Sequence, residues 1–420
     1  MARILLTTFG SLGDLFPYLA VGIELKRRGH AVTVASSPVY AARVAENGLD
    51  FHPVRPDLDP TDRKLLAEVM DARRGTERVL RFLSQAVRQS YEDTLPAVQR
   101  ADIVLTHPIT FGSVLAAEKA GVPWVSSVLA PISFLSAHDP PVPSYSAWIL
   151  KARRLGPGAM RAVWNFGKTA TRPWLREVVE LRRELGLPAD AHPLFGGSDS
   201  PLRILALFSK YLAEPQPDWP PQAVVTGFPF YDRGEAPPPE LEKFLAGGPP
   251  PVVFTLGSSA VEVAGAFYRE SIEAVERIGA RAILMVGRGP QDLPSKLPDT
   301  VLALTYAPHT AVMPRGAATV HQGGIGTTAQ AMRAGKPMLV VPFGHDQFDN
   351  ANRVKRLGVA ETLDRRRYSA DRVVPVLRRL LTTPSYAQAA AELGARVHTE
   401  TGAATAAEAI EQALESRHSL

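Results

Sequence analysis

The sequence predicts an α/β protein made of two doubly wound parallel-sheet domains facing each other across a cleft. Three observations lead there. Short apolar runs alternate with helical stretches through the first half, a proline-rich segment interrupts them, and the alternation then restarts. The length of 420 residues suits two domains. With 45% hydrophobic residues and a mean hydropathy near zero, each domain has material for a core.

The first strand is Arg3 to Phe9. Thr7 and Gly10 follow Ile4-Leu5-Leu6 at once, so the segment reads as a strand and not as a secretory leader. A helix is expected from Pro17 to Arg28, with Pro17 at its start, and a strand from Ala31 to Ser36. The pairs Ile103–Thr106 and Trp124–Val128 are short apolar strands flanking a helix over Phe111–Ala120. Such runs are the signature of strands covered on both faces. Long helical stretches are expected over Asp62–Leu95 and Arg161–Leu185, with a Pro-, Ser- and aromatic-rich segment, Ala130–Leu150, between them. Residues 1–226 then form an N-terminal domain, and residues 227–251, with Ala236-Pro237-Pro238-Pro239 and Gly247-Gly248-Pro249-Pro250-Pro251, a linker.

After the linker, strands are expected at Val252–Leu256, Ala282–Val286, Val301–Leu304, Ala318–Val320 and Met338–Val341, with a helix over Ala266–Ile278. This is a second domain, 252–395. The Ala- and Glu-rich end, from Ala387 to Leu414, is helical, and 396–420 is available to cross back to the N-terminal domain.

Charge and composition exclude several functions. Lys and Arg total 47 against 42 Asp and Glu, a net charge of +5. The cations are scattered without an aromatic platform, which argues against nucleic acid. They could help hold an anionic ligand or give weak peripheral contact with an anionic membrane. No apolar run reaches spanning length. The absence of cysteine removes disulfides and thiolate metal sites and is compatible with a cytoplasmic protein.

The most informative stretch is Ala318-Thr319-Val320-His321-Gln322-Gly323-Gly324-Ile325-Gly326-Thr327-Thr328. A strand enters a glycine turn and a helix is expected to open at Thr327. Free backbone N–H groups and the positive end of a helix dipole suit a phosphate. The spacing is neither G-x-G-x-x-G nor a Walker A loop. One strand later, Pro342-Phe343-Gly344-His345-Asp346-Gln347 delivers an Asp-Gln pair suited to sugar hydroxyls. Together the two segments suggest a nucleotide-sugar site. Asp57-Leu58-Asp59 spells a D-x-D but lies between prolines, and reads as a solvated turn.

These residues resemble the GT-B glycosyltransferases of the UDP-glycosyltransferase superfamily, whose two domains are Rossmann-like. Within it they are most similar to bacterial and fungal branches that act on lipids, sterols and natural products, rhamnosyltransferases included. Gly10-Ser11-Leu12-Gly13-Asp14-Leu15-Phe16-Pro17 matches the G-S-x-G-D-x-x-P loop. Tyr306-Ala307-Pro308-His309 matches the nucleobase segment, Gln322–Thr328 matches H-G-G-x-G-T, and Pro342–Gln347 matches P-F-x-x-D-Q. There are two departures. The family's phosphate-binding histidine aligns with Gln322, with His321 one place earlier, and strand alternation keeps both from reaching a pyrophosphate. Gln330 stands where plant members place a ribose-binding glutamate.

The resemblance implies inverting displacement at an anomeric carbon by an acceptor hydroxyl, with a base and a stabilised leaving diphosphate. Asp14 is the candidate base, its plain alternative being a cap for the Pro17 helix. His107 is the second candidate, since plant relatives carry at that place the Asp that orients their histidine. Donor contacts are expected from Ser258, Ser259, Tyr306, Ala307, His309, His321, Gln322, Gly324, Gly326, Thr327, Thr328, Gln330, Asp346 and Gln347, with Asn350 supporting the turn. Phe134, Tyr145 and Trp148 are the expected acceptor contacts, Trp164 and Trp174 core packing. No metal and no cofactor is expected beyond the nucleotide-sugar donor, UDP-glucose or alternatively a dTDP-sugar. The acceptor would be a lipophilic phenol, sterol or lipid. A non-hydrolysing nucleotide-sugar epimerase and a non-catalytic accessory subunit remain as alternatives.

Overall fold

The computed structural model describes residues 1–57, 59, 62–144, 147–232, 234–289 and 291–416. The N-terminal sheet has seven parallel strands: β1 (Arg3–Thr7), β2 (Ala31–Ser36), β3 (Asp50–Pro53), β4 (Ile103–Thr106), β5 (Trp124–Val128), β6 (Ile204–Ala206) and β7 (Ala223–Val225). Their order is β3-β2-β1-β4-β5-β6-β7. The second sheet has six: β8 (Val252–Thr255), β9 (Ala282–Met285), β10 (Val301–Leu304), β11 (Ala318–His321), β12 (Met338–Val340) and β13 (Ala360–Thr362), in the order β10-β9-β8-β11-β12-β13. All pairings are parallel. Each sheet reverses its winding once, between β1 and β4 and between β8 and β11. In open α/β sheets ligands bind at the carboxyl ends of the strands at such a point.

Several boundaries differ from expectation. The first helix runs from Leu12 to Arg27 with Ser11 as its N-cap, and Pro17 lies inside it. A capping box formed by Ser11 and Asp14 starts the helix one and a half turns before the proline. The stretch Asp62–Leu95 is three helices, Arg63–Val69, Gly75–Gln85 and Val87–Val98. Arg161–Leu185 is likewise broken, into Pro157–Thr171 and Arg176–Glu184 joined by a short 3₁₀ turn. The proline-rich linker contains a helix, Pro239–Ala246, with prolines at its first positions. The helix after the glycine turn opens at Ile325 and not at Thr327, with Gly324 as N-cap.

Three packing features bring the domains together. The last helix, Gly402–Ser416, lies on the first: Glu411 pairs with Arg28 (2.7 Å) and His30 (3.0 Å), and Ala406, Ala407 and Ile410 enter the N-terminal core. Phe208, Trp219 and Val128 share a cluster with Met332, Val340, Val354 and Leu393 of the second domain. Linker residue Tyr231 stacks on Phe16 at 4.9 Å and bonds Asn47. Among the described residues no helix is long and apolar enough to cross a membrane.

Candidate functional site

Asp14 and His107 come together because β1 and β4 are neighbours in the first sheet. Asp14 sits in the first turn of the helix after β1, and His107 directly follows β4. Asp14 is therefore neither in a free loop nor itself the N-cap. The Ser11 N–H (2.7 Å) and hydroxyl (2.9 Å) both donate to its Oδ2. Oδ1 faces His107 Nε2 at 3.4 Å, longer than a well-formed hydrogen bond. Gly10 makes this possible: its φ is +128°, and a Cβ there would lie 2.4 Å from Asp14 Oδ2. Burial alone would raise the Asp14 pKa, but the contacts with His107 and Ser11 outweigh it and hold the carboxyl below the ordinary aspartate value. It is thus ionised at neutral pH.

The neighbour is differently placed. His107 is 5% exposed, against 32% for the Asp14 side chain. Its Nδ1 accepts from the Ile109 N–H (3.3 Å). An N–H can only donate, so in the neutral ring the proton is on Nε2, aimed at Asp14.

Across the cleft, the second switch point places two loops side by side after β8 and β11. Gln322 Nε2 donates to Thr327 Oγ1 at 3.3 Å. A Cβ on Gly257, whose φ is +65°, would lie 2.4 Å from the same Nε2. The Gln322 amide thus fills the gap between the Gly257-Ser258-Ser259 turn and the helix N-terminus, which carries Gly324, Gly326, Thr327 and Thr328. Ser258 and Gly326 are exposed. Gln322 Oε1 and Thr328 Oγ1 are buried without a partner among the described residues.

His321 departs from expectation. It is fully buried, its Nδ1 accepts from the Gly323 N–H (3.1 Å), and burial pushes its pKa down to about 3, with His309 nearby adding to the effect. It supports the turn from beneath as a neutral ring and does not reach the cleft. His309 is itself pushed down to about 4 by burial. Ala307 is buried in a cluster with Leu304 and Val312, so only its backbone can meet a ligand. Tyr306 is 61% exposed. Gln330 Oε1 is occupied by Arg333 (2.8 Å), which also pairs with Asp232.

The Asp-Gln pair lies beside this seat. Gln347 Oε1 accepts from the Phe343 (2.8 Å) and Gly344 (3.2 Å) N–H groups, and the residue is largely buried. Asn350 Nδ2 donates to Gly323 O (2.9 Å) and to Asp346 Oδ2 (2.7 Å), tying both loops together. Burial pushes Asp346 up to about 7, against the Asn350 hydrogen bond and with the negative charge of Asp14 adding to it. Asp14 and Asp346 thus feel each other from opposite walls of the cleft.

Two functional positions escaped the sequence reading. Ser11, which holds the carboxylate, could have been found from the capping-box spacing Ser11-x-x-Asp14. His345 has a left-handed backbone, φ +54°, and its Nδ1 meets Thr76 Oγ1 of the other domain at 3.2 Å. No sequence signal announces that.

The expected acceptor residues scatter. Phe134 does not wall an open pocket: it stacks on Trp219 at 4.0 Å, edge-on to Phe208, in the shared cluster. Trp148 is 56% exposed, and Tyr145 lies outside the described residues. Trp164 donates to Ser136 O at 3.2 Å. Asp57 of the D-x-D accepts from Ser37 Oγ at 2.6 Å; Leu58 lies outside the described residues. A cavity lined by Thr8, Ser36, Arg55, Leu83, Ile109 and Phe111 measures about 20 Å³, room for little more than a water.

Comparison with known proteins agrees with this geometry. Residues 4–136 match the glycosyltransferase family 28 N-terminal domain. Residues 269–413 match the erythromycin biosynthesis protein CIII-like C-terminal domain. The chain is 33% identical to O-mycaminosyltylonolide 6-deoxyallosyltransferase of Streptomyces fradiae, covering 99% of this chain and 98% of that one. It is 28% identical to sterol 3-beta-glucosyltransferase of Aspergillus fumigatus over 98% of its own length, but spans only 30% of that longer protein. The solved structure of glycosyltransferase VinC in complex with dTDP superposes with a TM-score of 0.69 at 22% identity, covering 99% of this chain and all of the other. Two parallel sheets with switch points facing across a cleft, and a whole-length relative above 30% identity, place the protein: the chain is a glycosyltransferase of the GT-B UDP-glycosyltransferase superfamily, in its branch of natural-product and sterol glycosyltransferases.

Proposed function

We propose that the protein is an inverting transferase that moves a hexose from a nucleoside diphosphate sugar to a hydroxyl of a lipophilic natural product. The observation that carries this reading is the Asp14 carboxylate. It is ionised, held by two hydrogen bonds from Ser11, faces His107 at 3.4 Å, and stands across the cleft from Asp346 and Gln347. In a displacement, the acceptor hydroxyl would hand its proton to Asp14 as its oxygen attacks the anomeric carbon, and the C–O bond to the diphosphate would break on the opposite face. Asp14 is the base in this reading because it is the exposed member of the pair. His107 orients it.

The leaving diphosphate would be received by the N-terminus of Ile325–Ala334 and by Gln322, Ser258 and Ser259. A helix terminus and preorganised donors stabilise such charge without a cation. Tyr306 would stack on the base, its ring being exposed at the carboxyl edge of β10. Asp346 and the Gln347 NH₂ would hold the sugar hydroxyls.

A dTDP-sugar is the donor favoured here over UDP-glucose. Gln330 brings no carboxylate to a ribose diol and its oxygen is already engaged by Arg333. The Streptomyces relative carries a 6-deoxyhexose in its name, and VinC was solved with dTDP. The names of the Streptomyces and Aspergillus relatives, a tylonolide glycosyltransferase and a sterol glucosyltransferase, support a macrolide-like or sterol-like acceptor. The deciding experiment is incubation with a panel of UDP- and dTDP-sugars, each with and without macrolide aglycones and sterols. Acceptor-dependent release of nucleoside diphosphate with inverted product supports the reading. Turnover of the sugar without acceptor would point to an epimerase, and no turnover at all to an accessory subunit.

A further inference from the structure

The segment after β5 is bolted to the helix that carries the sugar-binding pair, by a buried network of charges bridging the domains. Ser136 Oγ and the Ala137 N–H donate to Asp218 (2.7 and 2.6 Å). The His138 and Asp139 N–H groups donate back to Ser136 Oγ (3.0 and 3.1 Å). This turn aims the Asp139 carboxylate at the helix Gln347–Arg356, where it accepts from Arg353 and from Arg356 (2.8 Å). Arg353 Nε also donates to Asp349 Oδ2 (2.7 Å), and Asp349 Oδ1 accepts from the Val142 N–H (3.0 Å). The side chains of Arg353 and Asp349 are only 2% and 1% exposed.

Asp139 and Asp349 face the guanidinium groups of Arg353 and Arg356, and Arg153 lies 3.9 Å from Asp139 as a third cation. A buried ion network is nevertheless poor evidence for stability, because desolvation cancels much of its attraction. It does fix geometry, since each partner left alone is strongly penalised. The geometry fixed here joins the two halves of the reaction. The helix is ten residues long and holds Gln347 and Asn350 at one end and Arg353 and Arg356 at the other. The segment 136–142 follows β5, whose sheet neighbour β4 delivers His107.

We propose that Asp139 and Arg353 are positioning residues that lock the acceptor-side segment onto the sugar-binding helix, so that acceptor hydroxyl and anomeric carbon are held in register and water is kept from the donor. This rests on the glycosyltransfer reading above.

The test uses the full chain with Asp139→Asn, which keeps the shape but not the charge, and Asp139→Glu as the conservative variant. Two readouts are taken. The first is the partition of donor between transfer to acceptor and hydrolysis by water. Asp139→Asn should lower transfer kcat by about tenfold or more, since small misplacements of reacting groups cost up to about 10²-fold. The hydrolysis-to-transfer ratio should rise by a similar factor, dTDP affinity should stay within about twofold, and Asp139→Glu should recover part of the loss. The second readout needs no turnover. The chain has no cysteine, so Arg100→Cys and Gln388→Cys report the interdomain distance by fluorescence transfer, and Asp139→Asn should broaden a single narrow distribution. A partition ratio unchanged from the parent, or transfer and hydrolysis falling together with melting temperature, overturns the proposal. So does an unchanged distance distribution. If the parent chain transfers no sugar to any acceptor, the functional reading fails by itself, and the distance measurement still decides whether this network locks the domains.

Discussion

His107 Nε2 stands 3.4 Å from Asp14 Oδ1, while the other oxygen of that carboxylate is held twice by Ser11. The two residues are distant in sequence and meet only because β1 and β4 pair, with Thr7 beside Thr106. Under the proposed transfer the two residues do different work, which mutation can separate.

Asp14→Asn keeps the size of the side chain and removes the proton acceptor. Loss of a general base typically costs about 10²–10⁴-fold, and kcat should fall by that order while dTDP binding survives. His107→Ala should cost less, because a buried ring whose Nδ1 is already occupied orients Asp14 without receiving the proton. The double variant should be far from additive. A folded Asp14→Asn protein with near-normal turnover would remove the base assignment, and a greater loss in His107→Ala would reverse the roles.

Gly257→Ala tests the diphosphate seat. The new Cβ would overlap Gln322 Nε2 and would be strained at φ +65°. Affinity for dTDP, measured by titration calorimetry, should drop by about tenfold or more, since one displaced charge-assisted contact of about 1.5–3 kcal/mol is at stake. Unchanged affinity would mean that Gln322 and this turn do not receive the diphosphate.

Gln347→Glu keeps the oxygen that caps the Phe343 and Gly344 N–H groups and replaces the NH₂ donor with an acceptor. Turnover should fall and preference among donor sugars should change, with affinity for free dTDP within about twofold. A collapse of dTDP affinity would show that the pair sits at the nucleotide and not at the sugar.

Asp346 carries a pH dependence whose sign is fixed by its raised pKa. A carboxyl pushed up to about 7 in the fold, against about 3.9 unfolded, binds its proton more tightly when folded. Its stabilising effect is present at low pH and is lost as pH rises through about 7. Asp346→Asn should therefore raise the melting temperature more at pH 8 than at pH 5. An equal shift at both pH values would contradict this. Asp14, held below the ordinary aspartate value, has the opposite sign. Its contribution is present above the unfolded pKa and is lost only as pH falls below it, so Asp14 itself adds no pH dependence through neutral and mildly acidic pH.

Chelation gives a further check on the leaving group. With helix-terminal N–H groups and Gln322 as the donors, excess chelator should leave initial rates within about twofold. A large loss restored by magnesium would overturn the cation-independent route.

The sequence by itself determined the α/β class, the two-sheet repetition and the identity of the loops that face the cleft. Ala31–Ser36, Ile103–Thr106, Trp124–Val128 and Val301–Leu304 were legible to the residue, because parallel-sheet strands become short, mostly apolar runs. Asp50–Pro53 and Ala360–Thr362 were not, being three- or four-residue edge strands with polar residues, too short for any periodicity to register. Gly323 announced the turn between β11 and the helix that follows, because a backbone at φ +90° favours glycine locally. Tertiary structure alone decided which way the side chains turned. It buried His321 beneath the turn and left the seat to Gln322, drew Ser11 onto Asp14, spent Phe134 on Trp219, and closed Asp139 on Arg353 across the domains. Each of these is a contact between elements remote in sequence, set by which strands are neighbours and how helices pack, and local pattern carries no record of it.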